Sequence, residues 1–91
     1  MKIKAIKIEL KTAIKIFEKH NVLQEEVYHV FKNGKPIFRV VGGNQYLAIG
    51  LSPSRYVTIF FRYDKRTKEA EITTAYTSDK AQIKFYKKVG K

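Results

Sequence analysis

The sequence predicts an α+β fold: an antiparallel sheet of four to five strands with two helices before it and one after, in a single domain over residues 1–91. Three observations predict it. Between positions 10 and 32, apolar residues recur at three- and four-residue steps, the period of a helix packed on one side. From position 37 to 77 the period changes to two, in short runs joined by turn-forming links. After Ser78-Asp79 the helical spacing returns.

Residues 3–8 alternate strongly enough to be a strand, with Ile6 and Ile8 on one face. A helix follows, with Leu10, Ala13, Ile14 and Phe17 as its packing stripe, Thr12 as a cap and Asn21 as its end. A second helix covers about 23–32. Leu23, Val27, Val30 and Phe31 form its buried stripe, and Glu25 and Glu26 sit in the first turn, where the helix dipole favours acids. Asn33-Gly34 ends it, the glycine taking the left-handed position and Pro36 unable to continue.

Residues 37–41 form a strand and Gly42-Gly43-Asn44 a hairpin turn. In the next strand, 45–52, Leu47, Ile49 and Leu51 face one way. Ser52-Pro53-Ser54 turns the chain into the most central strand, 55–63. There Val57, Ile59 and Phe61 face the core, and Tyr56, Thr58, Phe60 and Arg62 face away. Residues 64–67 form a polar loop. Residues 69–77 form the fourth strand of the run, with Ile72, Thr74 and Tyr76 on one face, and lead into the closing helix. Links this short favour an antiparallel meander with the helices gathered on one face.

Composition narrows the function. A chain that is 44% hydrophobic and 13% aromatic folds; it is not a disordered basic tail. Without cysteine there is no disulfide, thiolate chemistry or cysteine-based zinc site, and His20 and His29 alone cannot build a structural zinc site. No cofactor is expected. The N-terminal residues lack the unbroken apolar run of a signal peptide and no stretch is apolar enough to span a membrane, so a soluble cytoplasmic protein is expected. The 19 Lys and Arg against 8 Asp and Glu give a net charge of +11. Such a surface attracts polyanions: nucleic acid, an acidic protein partner or an anionic membrane surface, with a lysine-rich surface kept for solubility or for growth at high temperature as the plainer alternative. Fifteen of the cations are lysine, which suits phosphate contacts better than base edges. No recognition helix for duplex DNA is evident.

Several residues, in order and spacing, carry a resemblance. Glu18-Lys19-His20 closes the first helix and Glu25-Glu26-Val27 opens the second. Tyr46-Leu47-Ala48-Ile49-Gly50 lies in a strand, followed by Ile72-Thr73-Thr74-Ala75-Tyr76 and Tyr86. From about residue 9 onward the chain resembles the BrnT-type toxins, small ribonuclease toxins of type II toxin–antitoxin systems with a RelE-like fold. The resemblance implies an antiparallel sheet with two helices before it and one after. It also implies RNA cleavage without a metal and a small DNA-binding antitoxin as partner. The chain departs from the family pattern in two places. The last strand ends Thr74-Ala75-Tyr76 where those toxins commonly end serine-alanine-arginine, and Gln82 and Ile83 stand where a glutamate and an arginine are common.

Metal-free RNA cleavage needs a group that removes the 2′-hydroxyl proton, cations at the phosphorane, and a group that protonates the leaving oxygen. Arg55, Arg62, Tyr76 and Tyr86 are the catalytic candidates, and Arg39, Lys80, Lys84, Lys87 and Lys88 the nucleic-acid-binding ones. The three arginines lie on or beside strands. Arg62 shares a face with Tyr56, Thr58 and Phe60, a set able to stack a base and hold a phosphate or simply to pack under a helix. Tyr76 fits an acid, a stacking group or a structural tyrosine, and Tyr86 a site group or a core one. His20 falls where a histidine meets helix C-terminal carbonyls. His29 falls on the flank of its helix. Lys80, Lys84, Lys87 and Lys91 form one helical stripe, fit for a polyanion or for plain solvation. Two functions fit: an RNA-binding domain resembling a metal-independent ribonuclease toxin, or a non-catalytic interaction domain that binds an acidic partner or nucleic acid.

Overall fold

Alternation along the central strand sets the two sides of the molecule. In the structure, a computed structural model describing residues 1–89, Val57, Ile59, Phe61 and Tyr63 of β4 (Tyr56–Asp64) are buried on one side, while Phe60 and Arg62 face the other. The remaining elements are β1 (Ala5–Lys7), α1 (Leu10–His20), α2 (Gln24–Asn33), β2 (Ile37–Gly42), β3 (Gln45–Leu51), β5 (Glu69–Thr77) and α3 (Lys80–Val89). The strands lie in the order β1-β5-β4-β3-β2. β2 to β5 are the expected antiparallel meander. β1 joins β5 in parallel, with Ile6 opposite Ala70, so the sheet is mixed.

The inner side holds the core. Val22, Val27 and Val30 pack with Ala48, Ile59, Phe61 and Ile72, and Ile16 of α1 joins them. Phe31, Phe38 and Tyr46 surround Phe61 at ring distances of 5.4, 6.1 and 5.9 Å. Each fully buried aliphatic or aromatic side chain here contributes roughly 1.5–3 kcal/mol. The helices are not gathered on one face. α1 and α2 cover the inner side, whereas α3 lies across the outer side, over Ile49 and Thr58. The hinge is Ser78-Asp79, where β5 gives way to α3. Asp79 Oδ1 accepts from the Gln82 N–H at 2.8 Å and Gln82 Oε1 accepts from the Asp79 N–H at 3.0 Å, a reciprocal cap.

Several sequence expectations change. α1 does not bury Leu10, Ile14 and Phe17, which are 77%, 48% and 50% exposed. Its inward residue is Ile16, with Thr12 and Ala13 half-buried. Ile8 packs on the core just before the helix and Val22 just after it, and these two anchors fix the helix roll. Thr12 is no cap: the helix starts at Leu10, and Ala13 N–H reaches the Glu9 carbonyl. Asn21 does end it, in the left-handed conformation at φ 55°. Leu23 is exposed rather than part of the α2 stripe.

Gly34 is not left-handed; its φ is −86°, and Lys35 takes the positive φ instead. Glycine is required there for closeness, because a Cβ would sit 2.3 Å from the Leu51 carbonyl oxygen and 2.8 Å from Val30 Cα. In β5, Phe60 pairs with Thr74 but Phe61 with Ile72, leaving Thr73 as a bulge. The bulge resets the alternation, so Ile72 faces the core while Thr74 and Tyr76 face outward.

Candidate nucleic-acid interface

α3 covers only part of the outer side. Beyond it the sheet presents Arg39 on β2, half-buried Leu47 on β3, Phe60 and Arg62 on β4, and Thr74 and Tyr76 on β5. Alternation brings these together: Arg39 pairs with Leu47, Leu47 with Phe60, and Phe60 with Thr74. The Phe60 and Tyr76 rings lie 6.0 Å apart. Arg39 holds its guanidinium 5.2 Å from the Phe85 ring centre on α3. Arg62 meets Glu71 at 3.6 Å, both side chains about half exposed. A pair so exposed contributes about 0–1 kcal/mol, little hindrance to a phosphate.

A chain of hydrogen bonds decides how Tyr76 presents its hydroxyl. Thr58 gives its one hydroxyl proton to Gln82 Oε1 at 2.9 Å, so in its 2.7 Å contact with Ser78 the serine is the donor. Gln82 Oε1 therefore accepts from both Thr58 and the Asp79 N–H. That fixes the amide, and Nε2 donates to the Tyr76 oxygen at 3.0 Å. Tyr76 is thus an acceptor toward α3, and its own proton is left for a ligand. No acceptor among the described residues takes that proton.

A similar fold is found in a solved structure. The Brucella abortus ribonuclease toxin BrnT matches with a TM-score of 0.68 over 84% of this chain and 97% of that one, at 9% sequence identity. This chain has the BrnT fold. No protein-family model matches the sequence, and no curated protein matches it. The likeness to BrnT is one of architecture: three helices and a five-stranded mixed sheet.

Within this BrnT fold the sequence candidates separate. Arg39, Arg62 and Tyr76 share the open outer face. Arg55 does not join them. It reaches to the helix side, where Nη2 and Nε bind both carboxylate oxygens of Glu26, and it also holds the Asn21 carbonyl and Thr77 Oγ1. The Arg55 guanidinium holds the Glu26 carboxyl below its usual range. Tyr86 ties α3 to the α2–β2 link, its hydroxyl donating to the Lys35 carbonyl at 2.8 Å and its ring edge-on to Tyr56. Lys80, Lys84, Lys87 and Lys88 are exposed along α3; Lys91 lies outside the described residues. His29 is half-buried on the α2 flank.

Sequence reasoning missed what comes in from α1 and from the α3 cap. The His20 ring lies 5.7 Å from that of Tyr76, and Lys15 and Lys19 line a groove with Thr73 and Thr74 along the β5 edge. Only the docking of α1 beside β5 puts them there. Gln82 was more accessible: an Asp-x-x-Gln spacing at a helix start signals a fixed side-chain amide. A larger hollow, about 600 Å³, lies elsewhere, in the seam where the N-terminal segment crosses α2 and β2. Among the described residues no three His, Asp or Glu side chains cluster as metal ligands.

Proposed function

We propose that this chain binds single-stranded RNA across the open outer face of the sheet and cleaves it there. The Tyr76 hydroxyl carries the reading: Gln82 holds it as an acceptor so that its own proton is free to be donated outward, beside the Phe60 ring and on the face that also carries Arg39 and Arg62. Phe60 and Tyr76 stack bases, and Arg39 and Arg62 take phosphates. His20 accepts the 2′-hydroxyl proton as that oxygen attacks phosphorus. Tyr76 gives its proton to the departing 5′-oxygen, leaving a 2′,3′-cyclic phosphate and a free 5′-hydroxyl. Lys15, Lys19 and the α3 lysines flank the path. BrnT, whose fold this chain shares, is a ribonuclease toxin.

One observation favours RNA binding without cleavage. His20 is exposed, and among the described residues no side chain hydrogen-bonds its imidazole to orient it. Incubating purified protein with long single-stranded RNA in chelator separates the two readings. Discrete products ending in cyclic phosphate, lost in Tyr76→Phe, are expected for cleavage. A salt-sensitive gel shift without products leaves binding alone. Arg39→Ala/Arg62→Ala is expected to reduce the slope of log affinity against log salt by about 1.4, roughly 0.7 for each phosphate contact on a single strand. An unchanged slope removes the outer face as the RNA site.

A further inference from the structure

Beside Tyr76, between the α3 start and β2–β3, lies a hollow of about 210 Å³. The hollow is open to solvent and has room for more than a single water. Its walls are apolar, formed by Leu47, Ile49 and Phe85, and its polar groups are Arg39, Asp79 and Gln82. Arg39 and Asp79 carry opposite charges on one small hollow, yet they do not pair. Among the described residues neither makes an ion pair with any partner. Asp79 spends Oδ1 on the Gln82 N–H and has Oδ2 left as an acceptor. Arg39 has the edge of its guanidinium free while its face lies near Phe85.

A ligand that bridges this apolar hollow needs hydrogen-bond acceptors at one edge for Arg39 and donors at another for Asp79. Resting on the RNA-binding reading above, we propose that the hollow is a guanine subsite. Guanine presents the N7 and O6 acceptors that arginine reads bidentately. Its Watson–Crick edge carries two adjacent N–H donors, N1–H and the N2 amino group, which match a carboxylate. Adenine and cytosine each offer one amino group beside a ring-nitrogen acceptor, and that acceptor is repelled by the carboxylate oxygen. Uracil offers one N–H. Gln82 lines the hollow and also holds Tyr76, so the subsite adjoins the group that donates outward. Asp79 therefore sets base specificity in addition to capping α3.

Asparagine caps a helix as well as aspartate does, so Asp79→Asn keeps the α3 start while turning the free acceptor into a donor. The probes are oligouridines of about ten nucleotides carrying one central guanosine, adenosine or cytidine, with affinity read by fluorescence anisotropy. The wild-type chain is expected to favour the guanosine oligomer at least about fivefold over oligouridine. That ratio is expected to fall to about one in Asp79→Asn, with thermal unfolding confirming the fold. Binding of all oligomers with equal affinity overturns the guanine subsite while leaving RNA binding intact. A guanosine preference that persists in Asp79→Asn overturns the role of Asp79. Absence of binding to every oligomer removes the RNA reading and the subsite together.

Discussion

At the scale of single residues, the direction of one proton follows from the amide of Gln82. Two donors converge on its Oε1, so its nitrogen faces Tyr76. Replacing it with glutamate keeps the cap, because glutamate serves equally at that position. The second carboxylate oxygen then only accepts, and it draws the Tyr76 proton inward. Gln82→Glu is expected to weaken RNA binding several-fold with little change in melting temperature, whereas Gln82→Leu, which also loses the bonds to Thr58 and Asp79, is expected to lower both. Equal affinity for wild type and Gln82→Glu would show that the Tyr76 proton does not meet the ligand.

Arg55 belongs to stability. With its guanidinium shared among Glu26, Asn21 and Thr77, Arg55→Ala is expected to cost about 1–3 kcal/mol. The pH dependence has a definite sign. The Glu26 carboxyl is held below its ordinary value of 4.5, chiefly by the hydrogen bond from Arg55. Its contribution is therefore complete above that value and is lost as pH falls through the lowered one. The melting-temperature gap between wild type and Glu26→Gln is expected to stay constant above about pH 5 and to narrow below it. A gap that widens on acidification would contradict the pairing. Sequence placed Arg55 beside a strand, but only the approach of α2 decides which side of the sheet it serves.

At the scale of elements, junctions matter more than the elements they join. Gly34 sits where α2 stops against the end of β3, its carbonyl accepting from the Leu51 N–H. Its neighbours there are backbone atoms that cannot move aside. Gly34→Ala is accordingly expected to destabilise by about 3 kcal/mol or more, above the usual cost of overpacking, measured by denaturant unfolding. Gly42→Ala, with nothing within 4 Å of the added Cβ, serves as the mild comparison. Existence and order of the elements were legible because their periods differ sharply. The roll of α1 was not. Leu10, Ile14 and Phe17 make a better helical stripe than the lone Ile16, yet the anchors at Ile8 and Val22 prevail. The Thr73 bulge was equally hidden, since nothing in Ile72-Thr73-Thr74 breaks the period of two, and yet it decides that Tyr76 shares the outer face with Arg62.

At the scale of the whole molecule, the two sides of the sheet divide the work. The inner side is closed by two helices and carries the core, while the outer side is half open, and that half carries Arg39, Arg62 and the aromatic rings. The net charge of +11 draws polyanions from within a Debye length of about 8–10 Å, and the lysines of α1 and α3 flank the opening. Charge and the kinds and order of the elements were readable from the sequence, whereas the parallel pairing of β1 and the side that α3 takes were not. The particular constellation was read in part, since it joins residues from α1, β2, β4, β5 and α3 and depends on α3 crossing to the side away from its fellow helices.

The parallel pairing of β1 has one more consequence. The meander strands meet partners adjacent in the chain, but β1 pairs with residues 64 positions away, Ala5 with Glu69, and the Tyr63 hydroxyl reaches the Lys2 carbonyl over 61 residues. Loop closure of that length follows local pairing rather than leading it. β1 is thus expected to pair after the meander has formed, as a clasp on the finished sheet. Ile8, directly after β1, packs on the core at the head of α1, the helix that ends in His20 beside Tyr76, so this corner of the molecule is tied to the pairing of the first strand in the chain.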